Sequence, residues 1–137
     1  MNCIFCKIVA GKMPAHKVYE DDNVIAILDI SQATTGHTLV IPKKHSKNIT
    51  EMDEDDAQKL FSVLPKISHA INEAFNPIGI NILINTDKPL QSIFHTHAHI
   101  IPRYENDGVK MHFQDNTEKI KQDDFKTIKK KIEAELH

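Results

Sequence analysis

The run Ile93-Phe94-His95-Thr96-His97-Ala98-His99-Ile100-Ile101-Pro102 constrains this chain more than any other stretch. Imidazoles fall at every second position, among apolar and β-favouring neighbours. In a strand, successive side chains point to opposite faces. His95, His97 and His99 then share one face, while Phe94, Ala98 and Ile100 back onto a core. Pro102 closes the run, as proline does at strand ends. A helix would scatter the three rings around its cylinder. Alternating imidazoles either bind a metal or present a nucleophile beside a proton donor. At roughly 3.3 Å per residue, His95 and His99 stand about 13 Å apart. One zinc ion, with Zn–N bonds of about 2.0–2.1 Å, cannot easily take all three. The run marks a site.

The remaining periodicities predict an α+β single domain over residues 1–137, a five-stranded antiparallel sheet with helices packed on it. Cys3–Ala10 reads as a short helix ended by Gly11. Residues 17–20 and 24–28 form a hairpin across Asp21-Asp22-Asn23, and Thr38–Ile41 is a strand stopped by Pro42. A long helix spans Asp53–Phe75, kinked or restarted at Pro65. Ile80–Asn85 and Phe94–Ile101 are the last two strands. Gln122–Leu136 is a basic amphipathic helix with Phe125, Ile128 and Ile132 on one side. The net charge of −2 offers no basic field for nucleic acid. Apolar runs such as Val24–Leu28 are too short to span a bilayer, so no membrane partner is expected. No secretory peptide is read at the start of the chain, and Cys3 and Cys6 do not make a secreted disulfide framework. A cytoplasmic enzyme is the expectation. Cys3-x-x-Cys6 has a redox, a zinc and a buried-thiol reading, and its place outside any βαβ unit disfavours the first.

Several motifs, in order, resemble the histidine-triad (HIT) family, whose signature is His-φ-His-φ-His-φ-φ with φ apolar. Cys3-Ile4-Phe5-Cys6-Lys7-Ile8 resembles its opening segment, Asp29-Ile30-Ser31 its ribose-contacting turn and Gly36–His45 its central strand. Gln91-Ser92 resembles the pair before the triad. The likeness covers about residues 3–105, with Thr96 in an apolar position and no glycine in Asn85–Leu90 before Gln91.

The resemblance implies an HIT-like fold, a homodimer through strand 80–85 and the helix before it, with Ile80, Ile82 and Ile84 on one face, and a purine nucleotide or nucleoside phosphoramidate as small-molecule partner. His97 would attack the α-phosphorus to give a nucleotidyl-histidine that water releases. His99 and His37 would hold the phosphoryl oxygens with help from Gln91 and Asn85, and Ser92 would meet the leaving group. Asp29 would accept ribose hydroxyls. Phe5, Ile8, Met13, Leu28 and Ile30 would line an apolar slot for the purine, as ligand pockets are mostly apolar. Zn²⁺ held by Cys3, Cys6, His45 and His95 would be a closed structural site. Three rivals share these residues. They are a dinucleoside polyphosphate hydrolase, a non-catalytic nucleotide-binding regulatory module, and a catalytic zinc on His95-x-His97, whose shell Cys3 and Cys6 would close.

Overall fold

Two strands set the layering. Val24–Leu28 and Thr38–Pro42 are buried along nearly their whole length, so both faces of the sheet need cover. The computed structural model, which describes residues 2–136, supplies it. Its order is α1 (Ile4–Val9), β1 (Lys17–Glu20), β2 (Val24–Leu28), β3 (Thr38–Pro42), α2 (Glu54–Phe75), β4 (Gly79–Leu83), β5 (Ala98–Arg103) and α3 (Gln122–Glu135), with a 3₁₀ turn at Ile49–Glu51. The five strands form one antiparallel sheet in the order β1-β2-β3-β5-β4.

Strand alternation then divides the core. Val24, Ala26, Val40, Ala98 and Ile100 meet Leu60, Val63, Leu64, Ile67 and Ile71 of α2 on one face. Ile25, Ile27, Leu39 and Ile41 meet Cys3 and Phe5 on the other. Leu39 pairs with His99 across β3 and β5, so the odd-numbered histidines belong to the α1 face.

Three expectations need correction. β5 begins at Ala98 and runs through Pro102 to Arg103. Residues 93–97 lie outside the strand because the Thr96 amide bonds to the Ser46 carbonyl at 2.9 Å instead of joining a sheet ladder. Thr96 itself is buried, its hydroxyl 2.7 Å from that of Ser46, which explains a polar residue at an apolar place. The long helix is one piece. Pro65 sits on its exposed side, where the Phe61 carbonyl deprived of a donor can turn to water. Its ends follow rule: Asp53 caps the Asp56 amide, and Asn76 closes it in the left-handed conformation at φ 50°. Finally, α3 buries none of its residues, so Phe125, Ile128 and Ile132 face outward and do not pack on the sheet. No helix among the described residues is long and apolar enough to cross a membrane.

Candidate active site

The irregular segment 93–97 turns His95 away from its two companions. Its Nε2–H donates to the Pro42 carbonyl at 2.7 Å, which leaves Nδ1 as a free lone pair. That nitrogen lies 3.2 Å from Cys3 Sγ, 3.5 Å from Cys6 Sγ and 3.1 Å from His45 Nδ1, while Cys6 Sγ and His45 Nδ1 are 3.4 Å apart. Tetrahedral zinc with Zn–S bonds of about 2.3 Å and Zn–N bonds of about 2.0–2.1 Å requires ligand separations of roughly 3.3–3.8 Å. These four separations lie within a few tenths of an ångström of that range, and all four donors lie within 4.8 Å of one another. Cys3 caps α1, its sulfur accepting from the Cys6 amide at 3.3 Å. Burial, then the hydrogen bond and charge of neighbouring Cys3, pushes the Cys6 thiol up to about 11, and a cation between the sulfurs would favour the thiolate instead. His97 lies outside this group of four, so an ion held by these four donors would have a closed shell without it.

His97 is buried, and its Nδ1–H donates to the His95 carbonyl at 2.7 Å. The opposite nitrogen, Nε2, therefore carries the lone pair and has no hydrogen-bond partner among the described residues. The Phe5 ring meets the His97 ring edge to face, 5.0 Å between centroids, and fixes its plane. Burial holds the His97 imidazolium below the ordinary histidine range, against the pull of the His95 carbonyl.

His99 and His37 form a second unit. His37 Nε2 and His99 Nδ1 are 2.9 Å apart, and the Ala33 amide donates to His37 Nδ1 at 3.2 Å. Because Nδ1 of His37 accepts, its proton is on Nε2 and is donated to His99 Nδ1. The proton of neutral His99 must then sit on Nε2. Burial, helped by the neighbouring His97 and His37 charges, holds His99 down to about 4, and burial lowers His37 as well. Asp29 Oδ2 lies 3.6 Å from His37 Nε2. Burial would raise the Asp29 carboxyl, but the Ser31 hydroxyl and amide, at 2.7 and 2.8 Å, keep it below the usual range.

The apolar candidates converge. Phe5, Ile8, Met13, Leu28 and Ile30 line one cavity of about 250 Å³ with Ile4, Pro14, Ala15, His16, Ile27, Leu39 and Ile93, and Asp29 is in its wall. Ile30 is 92% exposed at its rim. Ser92 is exposed on a neighbouring cavity of about 380 Å³ that shares Ile4 and Ile93 with the first. Asn85 is half-buried after β4 and makes no protein hydrogen bond among the described residues.

Gln91 braces the loop around the site. It is buried, its Nε2 donates to the Lys47 and Ile93 carbonyls at 2.7 and 3.1 Å, and its Oε1 accepts from the Asp87 amide at 2.7 Å. Both amide hydrogens are engaged in the loop, which ties residues 47, 87 and 93 together. His37 stands behind His99 through their shared hydrogen bond. Periodicity did not reveal two other braces. Asn48, 1% exposed, caps the 3₁₀ turn and donates to Asp87 at 3.1 Å, while Gln32 spans the 29–37 turn. Only the positive φ that a loop asparagine or glutamine adopts could have hinted at Gln32, and sequence does not display φ.

The HIT domain profile matches residues 10–106. Protein hit of Bacillus subtilis is 49% identical over 137 residues, covering 98% of this chain and 94% of that protein. A crystal structure of a HIT family member from Bacillus subtilis superposes with a TM-score of 0.97 at 48% identity, covering 100% of this chain and 99% of the other. A Zn-bound histidine triad family protein from Mycobacterium smegmatis gives a TM-score of 0.75 at 39% identity, covering 87% of each chain. Adenylylsulfatase HINT3 of Arabidopsis thaliana is 43% identical across 77% of this chain and 54% of its own length.

Proposed function

Because this chain belongs to the HIT family, we propose that it is a nucleotide-handling hydrolase or transferase, with a purine nucleoside phosphoramidate or a related adenylylated compound as substrate. One observation carries the reading. The apolar slot leads to the Asp29 carboxylate, and the carboxylate leads to the His37–His99 pair and His97, which is the order base, ribose, phosphate. The exposed Ile30 at the rim gains cover when a purine lies in the slot.

The reaction proceeds in two displacements. The His97 Nε2 lone pair forms a bond to the α-phosphorus as the bond to the leaving nitrogen breaks, and the departing amine takes a proton from solvent. His99 Nε2–H donates to a phosphoryl oxygen as charge grows there, and His37 keeps that proton on the correct nitrogen. The His95 carbonyl steadies the imidazolium-like ring of the nucleotidyl-histidine through Nδ1–H. Water then adds to phosphorus, the P–N bond to His97 breaks, and the nucleoside monophosphate leaves. Ser92, on the adjoining cavity, contacts the leaving group, and Asn85 offers a neutral amide to the phosphate side.

Cys3, Cys6, His45 and His95 would hold a structural zinc, and a crosslink there would pin α1, and Phe5 with it, against the histidine segment. The Zn-bound relative supports this assignment. We also place the homodimer interface at β4, the sheet edge, where Ile82 and the neighbouring Phe75 and Ile78 are exposed. Ile80 and Ile84 lean on the chain's own core, so the interface uses less of the strand face than its pattern suggested. Two free thiols and the absence of a disulfide among the described residues suit a cytoplasmic setting.

A turnover comparison tests the proposal. Adenosine phosphoramidate, adenylylated lysine, adenylyl sulfate and a dinucleoside polyphosphate are offered to purified protein. Preference for the first two supports the phosphoramidase reading, and preference for the polyphosphate replaces it with the dinucleotide rival. Tight nucleotide binding without turnover of any of the four leaves only the regulatory module.

A further inference from the structure

The 29–37 turn carries Asp29 at one end and His37 at the other, and one side chain inside it holds both ends. Gln32 Nε2 donates to the Asp29 and His37 carbonyls, each at 2.7 Å, and its Oε1 accepts from the Gly36 amide at 2.9 Å. Every hydrogen-bonding group of the amide except one lone pair is therefore used. The bonds also fix which end of the amide is which, because two partners are carbonyls and the third is an N–H. Gln32 takes the left-handed conformation, φ 43°, to reach inward. Its backbone neighbour Ala33 is the residue whose amide donates to His37 Nδ1.

We propose that Gln32 is a positioning residue that sets the proton of His99 without touching substrate, an inference that rests on His99 acting at the phosphoryl group. The chain of cause is short. Gln32 reinforces the backbone bond by which the Asp29 amide donates to the His37 carbonyl at 3.1 Å. The turn closed by both brings the Ala33 N–H within 3.2 Å of His37 Nδ1. That contact makes His37 an Nε2–H donor, and His37 then donates to His99 Nδ1 at 2.9 Å. His99 is left with its proton on Nε2. With the turn open, the Ala33 contact lapses and both imidazoles are free to exchange tautomers. In the wrong tautomer His99 presents a lone pair to a phosphoryl oxygen, which repels it. Other braces hold the same turn to the body of the protein. Thr34 Oγ1 donates to the Pro102 carbonyl at 2.5 Å and the Tyr104 hydroxyl to the Thr35 carbonyl at 2.6 Å. Loss of Gln32 therefore misplaces the turn locally and does not unfold the domain.

The test uses ¹⁵N-histidine-labelled full-length protein and the variant Gln32→Met, which keeps length and loses all three hydrogen bonds. Wild type should show His37 and His99 each protonated at Nε2 alone. Gln32→Met should show mixed tautomers at both rings and a kcat on adenosine phosphoramidate lowered about 10–100-fold, with KM changed much less. Gln32→Glu, which keeps the acceptor for Gly36 and loses both donors, gives the same readings if the methionine variant folds poorly. Single tautomers in the variant overturn the inference, with or without a loss of rate, and so does tautomer mixing with kcat unchanged. The tautomer measurement needs no substrate. Mixing in a protein that turns over no nucleotide upholds the link from Gln32 to His99 and removes the phosphoryl reading instead.

Discussion

His97, His99 and His37 are the same side chain put to three uses, and the difference lies in which nitrogen the backbone takes. The His95 carbonyl claims Nδ1 of His97 and frees Nε2, while the Ala33 amide reverses the assignment at His37. Burial is the main cause of the lowered proton affinity of each ring. A nucleophile must be unprotonated, so a lowered His97 pKa moves the acid limb of the rate down the pH scale. We predict that the acid limb of kcat/KM has its midpoint below the ordinary histidine value of about 6.5. A half-maximal rate at or above pH 7 would contradict the burial of His97. For stability the sign runs the same way. His99 titrates at about 4 when folded and near the ordinary histidine value of about 6.5 when unfolded, so the unfolded chain binds more protons between them. Stability from this residue is whole above about 6.5 and is lost as pH falls toward 4.

Among the elements, α1 matters most for its size. It has six residues, too few to be stable alone, yet it has Cys3 as cap, sets Phe5 against His97, and brings Cys6 to His45 and His95. Zinc bound to Cys3, Cys6, His45 and His95 would hold it down. We predict one zinc per chain, lost in the Cys3→Ser, Cys6→Ser double variant together with at least about 5 °C of Tm. Turnover should fall by less than about tenfold, through Phe5 loosening on His97. Metal analysis finding full zinc in the double variant would count against the site. The sequence showed most elements within two residues, because β2, β3 and α2 carry strong periodicities. It misread the start of β5, since alternation continues through 94–97 while the backbone there bonds to Ser46. The same limit hid the bracing by Gln32, Asn48 and Gln91. Each is a side chain bonded to a backbone group far away or around a turn, and no spacing rule encodes that. The metal set was legible only through resemblance, because His45 and His95 are 50 residues apart.

At the scale of the whole molecule, apolar surface is left uncovered at a sheet edge and along a helix, among other places. β4 is a sheet edge with Ile82 46% exposed, and α3 stands away from the body with Phe125, Ile128 and Ile132 outward. An exposed edge strand invites pairing. We predict a dimer at micromolar concentration in sedimentation, weakened at least about tenfold by Ile82→Lys, whose side chain faces outward at that edge. A wild-type monomer at that concentration would refute the interface. All the groups proposed to act on substrate come from a single chain.

The central claim is that His97 Nε2 becomes bonded to phosphorus, and trapping that bond tests it most directly. Wild-type protein is mixed with ³²P-labelled adenosine phosphoramidate, quenched in base within milliseconds, digested and fragmented. The account predicts label on a peptide containing residues 95–99, localised to His97, and none in His97→Ala, whose kcat should be lower by more than about 10³-fold. Label on His99, or a His97→Ala protein that keeps more than about a tenth of the wild-type kcat, would contradict it.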